Sequence, residues 1–301
     1  MSGTGFFNYI KGATIKNVTL ENVNVTGGNP VGALVGYAMV EVNNTSMDGS
    51  IGNLIGNCYV SGEVKSLFSE NTAGAYAGGL IGFNDGDIDP KTGISIYSSI
   101  DNCISDVDVV AITAYAGGLA GGNFGYITNS SASGSVEGGN GIGGFIGGNN
   151  GGIYDCHASG SVAGNNVIGG FAGASTESIE RCYSIGDVKA NSDTSTEVGG
   201  FLGSGSGIVK DSMSAGTVHG GFSYIGGFAG EYTGTLSGLE KDIQLSGCYG
   251  NCLDGAGKTL PAIGNKTSST VEAEKEVLKK MSLTEREDVA DKLFELFHVT
   301  L

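Results

Sequence analysis

The sequence predicts an all-β chain: a right-handed parallel β-helix, or β-solenoid, of about seven to nine coils with a short α-helical C-terminal segment. Three observations carry this. The stretch Gly143 to Val162, GGFIGGNNGGIYDCHASGSV, returns 26 residues later as GGFAGASTESIERCYSIGDV, Gly169 to Val188. The 301 residues include 56 glycines and only 3 prolines, with no G-X-Y period, which excludes collagen and suggests a sheet protein with tight corners. Within each copy, small and apolar residues recur at alternate positions, as on a strand with one buried face.

The elements follow in chain order. Ile15 to Val25, IKNVTLENVNV, alternates apolar and polar residues and reads as the second half of a repeat whose first half is missing or degenerate. Seven fuller copies come next. Their glycine pairs begin at Gly32 (with Ala33 in place of the second glycine), Gly78, Gly117, Gly143, Gly169, Gly199 and Gly226. The second halves align on one column: Cys58, Cys103, Ser130, Cys156, Cys182, Ser212 and Cys248. Three residues earlier stand Ile55, Ile100, Ile127, Ile153, Ile179, Val209 and Leu245. Six residues later stand Val64, Val109, Val136, Val162, Val188 and Val218. Strand alternation puts the Cys and Val slots on one face, and the two polar residues between the Ile and Cys slots fit a corner. In the G-G-F-I-G strand both bulky residues are apolar, and the pattern does not choose which points inward.

One copy cannot bury its own apolar face; stacking copies in register can. Propeller blades need about 40–50 residues and leucine-rich repeats need an L-x-x-L-x-L framework, so both fit worse. Insertions lengthen the turn before the Ile slot at Tyr37 to Leu54, Phe83 to Ser99 and Glu231 to Gln244.

The pattern stops after Asp254, and the chain divides into a solenoid at 1–257 and a linker with helical segment at 258–301. GAGKTLPAIGNKTSS, Gly255 to Ser269, reads as linker. Ser269-x-x-Glu272 and Ser282-x-x-Glu285 are capping-box signals for two helices, the second with Val289, Leu293, Phe294 and Phe297 on one face.

The formal net charge is −16 and no Lys/Arg cluster exists, which argues against nucleic acid as a partner. No apolar run is long enough to span a bilayer. Residues 1–11 lack the layout of a signal peptide, so either the protein stays inside the cell or this is a segment of a longer exported chain; the solenoid pattern, which begins almost at residue 1, favours the second.

The unit G-G-[LF]-x-G-x(n)-[IV]-x-x-[CS]-x-x-x-G-x-V resembles the GLUG-motif repeat. The match lies in GGLIGFN (Gly78 to Asn84), IDNC (Ile100 to Cys103), GGLAGGNFGYITNSSASGSV (Gly117 to Val136) and the opening ATIKNVTLENVNVTG (Ala13 to Gly27). The resemblance covers residues 13 to 250. It implies an extracellular segment, because such repeats occur in large bacterial surface and secreted proteins, adhesin-like proteins and immunoglobulin-A1-cleaving metalloproteases among them. It brings no catalytic residues. The H-E-x-x-H helix is absent, and His157, His219 and His298 stand apart.

Several constellations are candidates for chemistry. The Cys column reads as a small buried slot rather than a metal or disulfide site; Cys248 and Cys252 leave room for a disulfide. Asp85, Asp87 and Asp89 alternate on an inserted loop and could begin a calcium site, though the complete calcium-loop pattern is missing and a solvated acidic turn reads better. Asp101, Asp106 and Asp108, with Glu63 one coil below, are the carboxylates a polysaccharide-active enzyme would use. The slot after the Cys column should face outward and holds Tyr59, Ile104, Ser131, His157, Tyr183, Met213 and Tyr249, so Tyr59, His157, Tyr183, Met213 and Tyr249 are binding-surface candidates. Asp155, Arg181 and Asp211 should stack as an acid–base–acid ladder.

The reading is therefore a non-enzymatic extracellular module, a stalk, spacer or adhesive surface of a larger bacterial protein, with glycans or proteins of a host or cell surface as partners. No cofactor is expected; calcium at the acidic loop of Asp85, Asp87 and Asp89 is the one candidate. A polysaccharide-active β-helix enzyme is the alternative.

Overall fold

The computed structural model describes residues 3–41, 52–68, 75–88, 95–112, 115–233, 245–246, 249–250, 260–261 and 263–266. Every regular element among them is a strand, and none is a helix long and apolar enough to cross a membrane. The two expected C-terminal helices, with Cys248, Cys252 and Asp89, lie outside the described residues.

One coil shows the plan. Residues 140–165 run through strands Asn140–Gly143, Ile146–Asn149, Gly152–Tyr154, His157–Ala158 and Val162–Gly164. Each pairs in parallel with its counterpart one copy on, giving sheets of seven, nine, eight and twelve strands. The copies stack like on like. Ile100, Ile127, Ile153, Ile179 and Val209 are successive register partners, and so are Val109, Val136, Val162, Val188 and Val218. Both columns are buried, as are Cys58, Cys103, Ser130, Cys156, Cys182 and Ser212. This is the parallel β-helix that the repeat predicts.

The two bulky residues left open by the pattern both point inward. Phe145 and Ile146 are fully buried because a corner separates Asn140–Gly143 from Ile146–Asn149. A Cβ on Gly143 would run into the Ile146 carbonyl oxygen, so this corner requires glycine. Phe145, Phe171, Phe201 and Phe228 stack in sequence with centroids 4.8, 4.9 and 4.9 Å apart and nearly parallel planes. That spacing is the inter-coil distance. Each buried ring or aliphatic side chain contributes about 1.5–3 kcal/mol, and each stacked aromatic pair adds roughly 0.5–1.5 kcal/mol.

The corner between the Ile and Cys slots has one cause in every coil where it is described. Asn17, Asn57, Asn102, Asn129, Asp155, Arg181 and Asp211, each just before the Cys slot or its equivalent, all have φ between 48° and 58°. Asn and Asp tolerate this left-handed conformation better than other non-glycine residues. The column also bonds to itself. Asn57 Nδ2 donates to Asn17 Oδ1 at 3.3 Å, and Asn102 Nδ2 to Asn57 Oδ1 at 2.9 Å. Arg181 grips Asp155 with both Nε (2.6 Å) and Nη2 (2.8 Å). The expected third rung differs: Asp211 lies 3.9 Å from Lys210, its own chain neighbour, while Arg181 Nη1 turns to Glu180 at 3.4 Å.

Three details extend the sequence reading. The first coil is complete, since Phe7–Lys11 pairs with Val35–Met39. The stretch read as linker contains the strand Ile263–Lys266, the ninth rung of the nine-stranded sheet. The Phe83 to Ser99 insertion carries an antiparallel hairpin, Gly86–Ile88 with Ser95–Tyr97, that leaves the solenoid.

Candidate functional site: an aromatic cleft on the outer wall

The Cys column is structural, and its Cys/Ser interchange has a physical reason. Each thiol donates to the carbonyl two residues back: Cys58 to Gly56 (3.3 Å), Cys103 to Asp101 (3.4 Å), Cys156 to Tyr154 (3.1 Å) and Cys182 to Glu180 (3.2 Å). Ser130 and Ser212 make the same bond, to Thr128 at 2.7 Å and Lys210 at 2.9 Å. The slot selects a small side chain with one donor. All four described cysteines are buried and free. Burial pushes the Cys103 thiol up to about 12 and the Cys182 thiol well above its usual value.

Asp101, Asp106 and Asp108 are engaged between coils, and Glu63 within its own strand. Asp101 Oδ1 accepts from Thr128 Oγ1 (2.7 Å) and Asn129 Nδ2 (2.9 Å). Asp106 accepts from Ser133 Oγ, and Asp108 from the Ser135 amide and hydroxyl. Glu63 pairs with Lys65 at 2.7 Å. Asp85 accepts from the Tyr37 hydroxyl at 3.0 Å and from the Val40 and Gly86 amides. Burial lifts the Asp85 carboxyl above its usual range despite these donors. Asp87 is exposed at the root of the hairpin. Among the described residues no group of three or more His, Cys, Asp or Glu side chains is placed to hold a metal.

The outward column after the Cys slot is less exposed than its alternation implies. Tyr59 and His157 are half-buried and Ile104 is exposed, but Tyr183 is 6% and Met213 2% exposed, which removes both from the accessible surface. Stacking is one cause. His157 and Tyr183 lie ring on ring at 4.8 Å, and Tyr183, Met213 and Tyr249 are successive register partners. Ile185 and Ala215, two residues on along the same face, are buried as well.

A different set of aromatic residues forms the accessible site. Tyr97, Phe124, Tyr126 and Tyr154 line a cleft of about 520 Å³, with Asp87 and Glu177 among its acidic residues and Asn150 to Gly152 in its lining. Stacking of coils creates it. Tyr126 and Tyr154 flank the buried Ile slots of adjacent coils, so their rings must stand outward, with centroids 6.4 Å apart. The hairpin brings Tyr97 to 4.6 Å from Tyr126, edge to face. Gly152 keeps the space open, since a Cβ there would lie 2.7 Å from both Tyr126 and Tyr154 ring carbons. Burial, then the neighbouring Tyr97, Tyr154 and Glu177, raise the Tyr126 hydroxyl above its ordinary value. Phe124 joins the cleft to a further outward cluster through Phe83 at 5.3 Å, and Phe83 in turn contacts Tyr37 and Tyr76. A second depression, of about 490 Å³, carries mixed charge (Glu137, Asp187, Lys189, His219) and no ring other than the imidazole.

The sequence reading missed this cleft because it searched the Cys-flanking slot. The available signal was tyrosine immediately before or after the Ile slot, in YIT (Tyr126–Thr128) and GIY (Gly152–Tyr154).

The family model for the GLUG motif matches residues 113–137. That match spans a single copy, and strand register ties the other copies to it column by column. No curated protein and no solved structure matched the chain.

Proposed function

We propose that this β-helix carrying the GLUG motif is a non-enzymatic module of a larger bacterial cell-surface or secreted protein, and that the cleft around Tyr126 and Tyr154 is its adhesive surface. One observation carries the reading: outward rings from successive coils and from the inserted hairpin converge on one concave patch. Apolar rings held in a concave, partly polar surface are what binding sites are built from. Of the carboxylates that an enzyme would need, Asp101, Asp106 and Asp108 are engaged in bonds between coils and Glu63 pairs with Lys65 on its own strand, which favours binding over hydrolysis. The extracellular setting rests on the motif's resemblance.

The test is a screen of the purified chain against arrayed glycans and host or cell-surface proteins. Hits should weaken at least tenfold in Tyr126→Ala/Tyr154→Ala and persist in Tyr59→Ala. Turnover of a polysaccharide that is abolished by Asp108→Asn would overturn the reading in favour of an enzyme.

A further inference from the structure

The chemistry of the cleft narrows its ligand. Its rings present their faces and edges to a concave space, and among the described residues its lining contains Asp87 and Glu177 and no lysine or arginine. The whole chain carries a formal charge of −16, which favours approach of cations over anions in general. The tyrosine hydroxyls add oxygen acceptors rather than positive charge: Tyr97, Tyr154 and Glu177 all act to hold the proton on Tyr126. A ring quadrupole attracts a cation over its face, and a carboxylate beside the ring strengthens that attraction. A neutral sugar would gain from the rings but not from the surrounding charge. An acidic ligand would be repelled.

We infer that the cleft takes a cationic side chain, the lysine or arginine head of a basic segment of a partner protein, held between Tyr126 and Tyr154 with Glu177 as counter-ion. This deepens the binding-module reading and rests on it. The aliphatic stem of lysine or arginine would lie along the rings while the charged head stays near water at the acidic rim. The match is complementary in charge as well as shape, which also predicts fast, salt-sensitive association.

The experiment uses the full chain and an N-acetylated peptide of alternating lysine and glycine, followed by tyrosine emission and by calorimetry. The chain has no tryptophan to mask that emission. A second peptide carries acetyl-lysine at every lysine position, keeping the stem and removing the charge. A panel of neutral oligosaccharides forms the third arm. The lysine peptide is expected to bind, to lose about threefold to tenfold in affinity in Glu177→Gln and in Tyr154→Ala, and to weaken as salt rises from low to physiological strength. Circular dichroism of each variant confirms that the fold persists. Equal binding of the acetylated peptide overturns the inference. Neutral oligosaccharides that bind with dependence on Tyr154 but not on Glu177 also overturn it, while leaving the binding-module reading intact. No binding in any arm overturns it as well, and the broader screen then decides the fate of that reading.

Discussion

Single side chains in this molecule are chosen by what repeats beneath and above them. The Cys column is the clearest case: thiol and hydroxyl occupy the same slot because both donate to the carbonyl two residues back. Cys156→Ser should therefore change stability by less than about 1 kcal/mol, measured by denaturant unfolding. Cys58, Cys103, Cys156 and Cys182 should resist iodoacetamide at pH 8 until the chain unfolds, because all four are buried, and in Cys103 and Cys182 burial also disfavours the reactive thiolate; peptide mapping reads this directly. The reverse situation holds at Val167. It has φ 54° in a column shared with Gly141, Glu197 and Tyr224. A β-branched residue is strained there, whereas asparagine tolerates the conformation. Val167→Asn should raise stability by about 1 kcal/mol, seen as a higher calorimetric Tm. A lower Tm would mean that the half-buried valine side chain contributes more than its backbone costs.

Among the elements, the nine-stranded sheet contains a feature that the repeat pattern only hinted at. Asn84, Asn123, Asn149 and Ser175 are buried one above the other. Asn84 Nδ2 donates to Asn123 Oδ1 (2.8 Å), Asn123 Nδ2 to Asn149 Oδ1 (2.9 Å) and Asn149 Nδ2 to Ser175 Oγ (3.1 Å). The same side chains tie down the next corner, since the Gly125 and Gly151 amides donate back to Asn123 and Asn149. Asn123→Leu would leave the Gly125 amide without this acceptor and break two rungs. The expected loss is at least about 2–3 kcal/mol, while Asn150→Leu, at an exposed neighbour, should cost little; guanidinium unfolding of both separates the two. The Ile, Cys and Val columns could be read from spacing alone, because burial of an apolar face leaves a period-two signature. The asparagine ladder could not. A polar residue inside a strand reads as outward-facing until one sees that its partner is its own copy one coil away. The cleft was hidden for a related reason: Tyr97 reaches it only through the hairpin in an insertion, which has no counterpart in the shortest coils.

For the molecule as a whole, in-register stacking multiplies every charge as surely as it multiplies every hydrophobic contact. The formal charge is −16, and some carboxyls respond to burial and to one another. Burial raises Asp85, and burial followed by the neighbouring carboxylate Glu231 raises Glu197. For a group whose folded pKa lies above its unfolded value, the stabilising contribution is fully present below the unfolded value, here 3.8 for Asp85 and 4.5 for Glu197, and is lost as pH rises through the folded one. The buried thiols and phenols follow the same sign higher up. The contribution of Cys103 is intact below 9.0 and disappears as pH climbs toward about 12, and Tyr37, Tyr76 and Tyr126 are raised in the same direction from 10.0. Repulsion among the acidic groups adds to the trend, because protonating carboxylates brings the negative net charge of the compact state closer to zero. Melting followed by circular dichroism at fixed ionic strength should therefore show Tm rising as pH is lowered from neutrality toward the ordinary carboxyl range, and falling as pH rises above 9. Added salt should shrink the acid-side gain, since it screens the exposed part of the repulsion but not the buried part. A Tm that falls on mild acidification would overturn this account of the raised carboxyls.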